Sequence, residues 1–176
     1  MNFLEKAAAI IKSPDKFFVK IRSDKKINSS LSFLFVISLV YLVATVVLIM
    51  TGPLASIGAV GIASVAIFSW VMSILLVFVM SAIVNAAAKL LGGKGGYNAA
   101  FKSLVYGSLP SQALGWLPFI GFIFSLWSLY IQTKGVSRLY KLGTIHSFIA
   151  VISPSVIILV LILVFASSLI NLPKSL

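Results

Sequence analysis

The side chains that carry most enzyme chemistry are scarce in this sequence. Its 176 residues include three acidic residues, one histidine and no cysteine. The acidic residues are Glu5, Asp15 and Asp24, so no acidic side chain from residue 25 onward is available as a general base or metal ligand. A Ser or Thr nucleophile needs an adjacent base, and only His146 remains for that role. We therefore expect no catalytic residue, no metal site, no cofactor and no enzymatic activity.

A glycine-rich run at 92–96, with Lys94 at its centre, invites comparison with phosphate-binding loops. It lacks the spacing of a nucleotide-binding loop and the Ser or Thr that would follow the lysine, and no strand precedes it. We reject nucleotide binding at this run. We expect a flexible turn, because consecutive glycines end a helix.

Four polar side chains lie in or near apolar stretches, where they need hydrogen-bond partners. These residues are Asn85, Tyr106, Gln112 and Gln132. Two interpretations are open: the four side chains line a small polar cavity, or they join helices through hydrogen bonds. A cavity of this kind would suit a small carrier or lipid transporter, which is the alternative function for this chain.

The composition places all these residues in a membrane. Apolar residues make up 60% of the chain and charged residues only 10%, with a mean hydropathy of +1.14. Neither a soluble fold nor a disordered chain keeps so much apolar surface out of water. The formal charge of +11 is therefore interpreted as membrane orientation and lipid contact, and we expect no nucleic-acid partner.

Five apolar windows are long enough to cross a bilayer: 31–50, 60–88, 99–116, 118–138 and 147–170. They predict an all-α integral membrane protein, with a five-helix transmembrane bundle at 30–176 and a cytoplasmic amphipathic helical segment at 1–29. The third and fourth windows are separated only by the turn around Leu117 and Pro118. A re-entrant hairpin over 99–138 is therefore an alternative to two full crossings.

The positive charges predict the orientation of these windows. Thirteen of the 14 Lys and Arg fall before the first window, or in and beside the connections from the second to the third window and from the fourth to the fifth: Lys6, Lys12, Lys16, Lys20, Arg22, Lys25, Lys26, Lys89, Lys94, Lys102, Lys134, Arg138 and Lys141. Positive residues collect in cytoplasmic connections. We expect a cytoplasmic N-terminus and a C-terminus outside, and the hairpin alternative gives the same orientation.

The N-terminal segment has helical amphipathicity. Ser13 and Pro14 are suited to start a second short helix, whose apolar side carries Phe17, Phe18 and Ile21. At minimum the segment anchors the first span in the membrane interface. Basic residues of this segment, together with four from later in the chain, are expected to contact anionic lipids or partners: Lys16, Lys20, Arg22, Lys25, Lys26, Lys94, Lys102, Arg138 and Lys141.

Small residues recur at strict intervals of four in the third window, at Ser103, Gly107, Ser111 and Gly115. Such a face lets two helices approach closely in lipid. A comparable face follows at Gly121, Ser125 and Ser128, so we expect an antiparallel hairpin bent by Pro110 and Pro118. Packing within the chain is favoured, and a homodimer seam is the alternative. Aromatic residues near the window ends are expected at the membrane interfaces: Tyr97, Trp116, Trp127, Tyr130 and Tyr140.

The central stretch resembles a known family. It contains the segments Gly92-Gly93-Lys94-Gly95, Ala100-Phe101, Tyr106-Gly107-Ser108-Leu109-Pro110, Leu117-Pro118, Gly121, Trp127 through Tyr130 and Gly135-Val136. This order resembles the Yip family of small multi-span membrane proteins, and the resemblance extends over roughly 14–170. It implies five spans, a cytoplasmic N-terminus and an adaptor role. Eukaryotic members are associated with prenylated Rab-type GTPases and vesicle traffic, whereas short prokaryotic members have no settled activity.

The short basic N-terminus is similar to that of a prokaryotic-type member, since eukaryotic members carry a long acidic, proline-containing region. The resulting hypothesis is a non-enzymatic membrane adaptor or membrane-organising protein whose basic cytoplasmic face binds anionic lipids or protein partners. A GTPase or membrane-protein partner is expected from this resemblance alone.

Overall fold

A computed structural model of the chain describes residues 2–24 and 26–170, with side chains described as far as residue 167. Within these residues the secondary structure is helical, with no strand. The elements are α1 (Phe3–Lys12), α2 (Pro14–Ile21), α3 (Asn28–Thr51), the short 3-10 helix η1 (Pro53–Ile57), α4 (Gly58–Leu90), α5 (Tyr97–Gly107), α6 (Leu109–Leu114), α7 (Ile120–Tyr140) and α8 (Thr144–Ile170).

Three stretches of the described chain are long and apolar enough to cross a membrane. They are Asn28–Thr51, the 38 residues of Pro53–Leu90, and Thr144–Ser167. They coincide with the first, second and last predicted windows, which confirms an all-helical, multi-pass membrane protein. Helix α4 alone has 33 residues, about 50 Å at 1.5 Å per residue, so it exceeds a hydrocarbon core of about 30 Å.

The third and fourth windows form a hairpin of unequal arms. The window 99–116 is not one helix, because α5 ends at Gly107 and α6 begins at Leu109. Pro110 explains the break, since proline lacks the N–H that a continuous helix would need at that position. The window 118–138 matches α7, which runs antiparallel to α5 and α6 and packs along both.

The N-terminal helices pack on the bundle. Asn2 and Glu5 form a reciprocal capping box at the start of α1, and Pro14 occupies the first turn of α2 as the sequence predicts. The expectation that this segment lies in the membrane interface is wrong for the apolar side of α2. Phe17 and Phe18 are buried against the protein, because this side packs on α7, and Ile10 of α1 is buried as well.

Aromatic rings join this N-terminal segment to the bundle. The ring centroid of Tyr106 on α5 lies 5.0 Å from that of Phe17 on α2 and 5.0 Å from that of Phe33 on α3. Both contacts are edge-on, the geometry that aromatic quadrupoles favour. The three helices are thereby held around one buried residue of the α5–α7 hairpin.

Candidate functional site

Three positively charged segments of the chain meet at one end of the bundle. The N–H of Lys94 donates to the carbonyl of Tyr140 at 2.9 Å. The ammonium of Lys102 donates to the carbonyl of Asp24, and Nε of Arg138 donates to Oδ1 of Asp15 at 2.7 Å. We call the surface formed by residues 14–24, 26, 89–102 and 134–141 the basic end. Segments far apart in sequence thus form one surface.

Asp15 fixes the N-terminal segment to α7 within the basic end. Besides Arg138, its carboxylate meets Nζ of Lys134 at 3.4 Å. Partial burial opposes ionisation of Asp15, but the hydrogen bond from Arg138 and the charge of Lys134 outweigh it, so the pKa of this carboxyl is lowered. Arg138, expected to contact lipid, is half-exposed yet already holds an ion pair within the chain.

Lys102 corrects one expectation directly. It was expected on the surface as a lipid or partner contact, yet it is 4% exposed. The other described lysines and arginines of the expected contact set, apart from Arg138, are exposed as expected: Lys16, Lys20, Arg22, Lys26, Lys94 and Lys141. Lys25 lies outside the described residues. Burial of Lys102 follows from the way the turn after α2 covers the first turns of α5.

The glycine run at 92–96 forms a specific turn around Tyr140, where a flexible turn was expected. Gly92 has a φ of +87°, the left-handed conformation that lets the chain leave α4. A Cβ at Gly93 or Gly95 would lie 2.9 Å or 2.6 Å from Cδ1 of Tyr140, so only glycine lets the backbone approach the ring this closely. Tyr140 was expected at a membrane interface, and that prediction is wrong because the residue is fully buried.

A cleft of about 480 Å³ opens beside this turn. It lies between the end of α2, the glycine run, the first turn of α5 and the end of α7. Its charged lining residues are Arg22, Asp24, Lys94, Lys102 and Lys141. Four cations and one acid therefore surround a single concave space.

The start of α5 adds backbone donors to this cleft. Gly96 precedes α5, and no side chain caps the helix. The N–H groups of Tyr97 and Asn98 have no acceptor in the described part of the chain, whereas the N–H groups of Ala99 and Ala100 bond to the carbonyl of Gly96. Free N–H groups at a helix start attract anions.

The four polar residues expected to form one cavity are divided by the fold. Gln112 and Gln132 line a cavity of about 370 Å³ against α4 and α8. Asn85 instead accepts from the Tyr140 hydroxyl at 2.8 Å, and the Tyr106 hydroxyl lies 3.3 Å from Oγ of Ser29 and of Ser30. The cavity prediction is therefore right for two residues and wrong for Asn85 and Tyr106, which join helices.

The small-residue face packs within the chain, as the favoured interpretation predicts. A Cβ at Gly107 would lie 2.8 Å from the backbone nitrogen of Gln132, and one at Gly135 would lie 2.9 Å from Cβ of Ser103. Further along, the Ser111 N–H donates to Oγ of Ser128 at 2.8 Å, and Gly115 faces Gly121. Of the two prolines expected to bend the hairpin, Pro110 is buried and Pro118 is exposed in the turn.

These contacts occupy Ser103 and Gly107 within the chain, so they support the favoured interpretation and give no support to a homodimer seam at this face. Ser125 is exposed and bonds only to the carbonyl of Gly121, so it does not join the face.

Comparison with models of known protein families identifies the family of this chain. The family model of the Yip1 domain matches residues 8–166. No curated protein and no solved structure matches the chain. The matched region includes the hairpin, the glycine run and the three apolar stretches described above. Because the match covers most of the 176 residues, the chain belongs to the Yip family.

Proposed function

We propose that this chain is a non-enzymatic membrane adaptor or membrane-organising protein that acts through its basic end. The observation that supports the proposal is the convergence of three separate segments into one surface, whose described residues carry nine exposed or partly exposed Lys and Arg against two Asp. Each basic residue near an anionic membrane surface contributes about 1 kcal/mol of attraction. A surface of this charge therefore favours anionic lipid headgroups or acidic protein surfaces.

The basic end lies on the cytoplasmic side in this proposal. Positive residues are retained in cytoplasmic connections, and the uncharged connection between α3 and α4 would then face outward. If the three apolar stretches all cross the membrane, α1 and the end of α8 lie on opposite sides of it. If α5–α6 and α7 also cross the membrane, they add two crossings and keep this orientation, so the five-span arrangement leaves the proposal unchanged.

Family membership supports the adaptor part of the proposal. The Yip family is linked to vesicle traffic, in which small membrane proteins recruit soluble factors to a bilayer. The short basic N-terminal segment of this chain packs on α7 through the ion pair of Asp15 with Arg138. A partner would therefore meet a preformed basic surface, which is suited to an acidic face on a GTPase or another membrane protein.

Lipid selection by the full chain tests the lipid part of the proposal. The protein would be reconstituted in nanodiscs with equal phosphatidylcholine and phosphatidylglycerol, and native mass spectrometry would count the lipids it retains. We expect severalfold enrichment of phosphatidylglycerol at low salt, declining as salt screens the exposed charges. A variant with glutamine at Lys16, Lys20, Lys94 and Lys141 should lose the enrichment.

The matched control carries arginine at the same four positions and keeps the charge, so it should retain the enrichment. Equal retention of both lipids by the native chain, at every salt concentration, would refute anionic lipid binding. The adaptor part has its own measurement, which is crosslinking in the native membrane followed by purification. A protein partner recovered with the native chain and the arginine control, but not with the glutamine variant, supports that role. No such partner would count against it.

A further inference from the structure

A buried cation without an acidic partner lies at the floor of the cleft. Lys102 is 4% exposed, and its ammonium donates to the main-chain carbonyl of Asp24. Within the described residues no carboxylate lies within 4.0 Å of it, since both ion pairs found there belong to Asp15. The charge of nearby Asp24 compensates the buried ammonium only in part, because the two side chains form no ion pair. An anion entering the cleft would supply the rest of the counter-charge.

The rest of the cleft is suited to the same anion. Arg22, Lys94 and Lys141 line it from three different segments, so their charges surround the space. The free N–H groups of Tyr97 and Asn98 begin a helix of 11 residues at this point. Guanidinium, ammonium and N–H groups together make charge-assisted hydrogen bonds to phosphate oxygens.

The glycine at the entrance to α5 leaves space for close approach. A Cβ built on Gly96 meets no atom within 4 Å, and Gly96 itself lines the cleft. Its φ of −128° is open to any residue, so the backbone conformation does not require glycine there. Ile21, Ala99 and Leu139 add apolar walls, and the volume of about 480 Å³ is suited to a compact headgroup.

We propose that this cleft is a specific site for a phosphomonoester group, with Lys102 and the first N–H groups of α5 holding the phosphate and Arg22, Lys94 and Lys141 surrounding it. The site refines the proposed function, because it names one ligand class for part of the basic end. The cleft carries four positive charges and the one negative charge of Asp24. A phosphomonoester with about −1.5 to −2 charges matches that excess better than a singly charged phosphodiester.

The experiment compares headgroups on the full chain purified in detergent. Thermophoresis would measure binding of short-chain phosphatidic acid, phosphatidylglycerol and phosphatidylcholine, and of glycerol 3-phosphate as the soluble phosphomonoester. We expect phosphatidic acid to bind at least tenfold more tightly than phosphatidylglycerol, with phosphatidylcholine weaker still. Comparable affinity for glycerol 3-phosphate would assign the site to soluble phosphate esters, whereas binding of phosphatidic acid alone would assign it to lipid.

Charge-matched variants separate this site from the general attraction of the basic end. K94Q/K141Q removes two cations from the cleft, whereas K16Q/K20Q removes two exposed cations from α2 outside it. We expect about a tenfold loss of phosphatidic acid affinity in K94Q/K141Q and less than a threefold loss in K16Q/K20Q. Lys102→Met keeps an apolar stem in place of the buried lysine and should also lose affinity, with its fold checked by thermal unfolding.

The outcomes distinguish the two proposals. Equal losses in K94Q/K141Q and K16Q/K20Q would overturn the specific site and leave the proposed function standing, since diffuse charge would then account for binding. Equal affinity of the native chain for phosphatidic acid and phosphatidylglycerol would also overturn the site. If the native chain shows no preference for any anionic lipid over phosphatidylcholine, the specific site and the lipid part of the proposed function are both wrong.

Discussion

Gly95 lies directly against the ring of Tyr140: a Cβ at Gly95 would lie 2.6 Å from Cδ1 of that ring and 2.8 Å from Cε1. Tyr140 is fully buried at the end of α7, and the N–H of Lys94 donates to its carbonyl. The glycine run is thus a turn shaped to enclose one aromatic side chain. Because the same run borders the cleft, this contact holds Lys94 in place beside the start of α5.

Gly95→Ala should therefore destabilise the protein. The added methyl group overlaps a buried ring that cannot move aside, which costs about 1–3 kcal/mol. Gly96→Ala is the matched control, because its Cβ meets no neighbouring atom. Thermal unfolding in detergent, followed by tryptophan fluorescence, should show a midpoint several degrees lower for Gly95→Ala and near the native value for Gly96→Ala. Equal midpoints for the two variants would contradict the enclosed-ring geometry.

Tyr140→Phe removes the hydroxyl that joins α7 to two other segments. This hydroxyl lies 2.8 Å from Oδ1 of Asn85 and 2.8 Å from the carbonyl of Gly96. The two acceptors share the single hydroxyl proton, and the Gly96 carbonyl also accepts from the N–H groups of Ala99 and Ala100. Loss of the hydroxyl therefore chiefly leaves Oδ1 of Asn85 without a donor, at a cost of about 1–3 kcal/mol. Tyr130→Phe is the control, because the Tyr130 hydroxyl makes no hydrogen bond within the described residues and its side chain is 52% exposed. An unchanged unfolding midpoint for Tyr140→Phe would show that the hydroxyl is not needed.

The apolar windows and the small-residue spacing were sufficient to predict the membrane helices and the hairpin. Helix α3 begins and ends within three residues of its window, because a bilayer core demands a continuous apolar length. The interval of four from Ser103 to Gly115 predicted the face that packs on α7, since close helix approach in lipid requires small side chains at that period.

The contacts that build the candidate site were not predictable in this way. Asp15 and Arg138 are separated by 123 positions, and nothing in the local pattern of either residue indicates the other. Lys102 stands among polar and apolar neighbours near the start of a window, where lysines ordinarily reach water. Its burial depends on the turn after α2, which covers it only in the folded chain.

The closest helix approach in the hairpin gives a further prediction. A Cβ at Gly107 would lie 2.8 Å from the nitrogen and 2.9 Å from the Cα of Gln132, and backbone atoms cannot give way as a flexible side chain can. Gly107→Ala should force α5 away from α7 and lower the unfolding midpoint by several degrees. Gly143→Ala should be tolerated, because its Cβ would meet only Nδ1 of His146 at 3.7 Å. A stable Gly107→Ala variant would contradict the close packing of this hairpin.

The ion pair of Asp15 predicts how pH affects the N-terminal segment. The pKa of Asp15 is lowered in the folded protein, because the hydrogen bond from Arg138 and the charge of Lys134 outweigh the effect of burial. A depressed pKa means that the carboxylate stabilises the fold fully above its ordinary pKa of about 3.9. That contribution is lost as the pH falls through the lower, folded-state pKa. Since the carboxylate is partly exposed, the effect is modest and declines with salt.

Asp15→Asn should therefore lower the unfolding midpoint at pH 7 and make little difference below the folded-state pKa of Asp15, where the native carboxyl is also neutral. The quantity to follow is the difference between the native and Asp15→Asn midpoints from pH 7 to pH 3. Asp24→Asn is the comparison, since the Asp24 side chain accepts from the Lys26 N–H, forms no ion pair within the described residues and acts on Lys102 only through its charge. A native–variant difference that stays constant across this range, or that Asp24→Asn reproduces, would mean that Asp15 does not fix α2 to α7 through its charge.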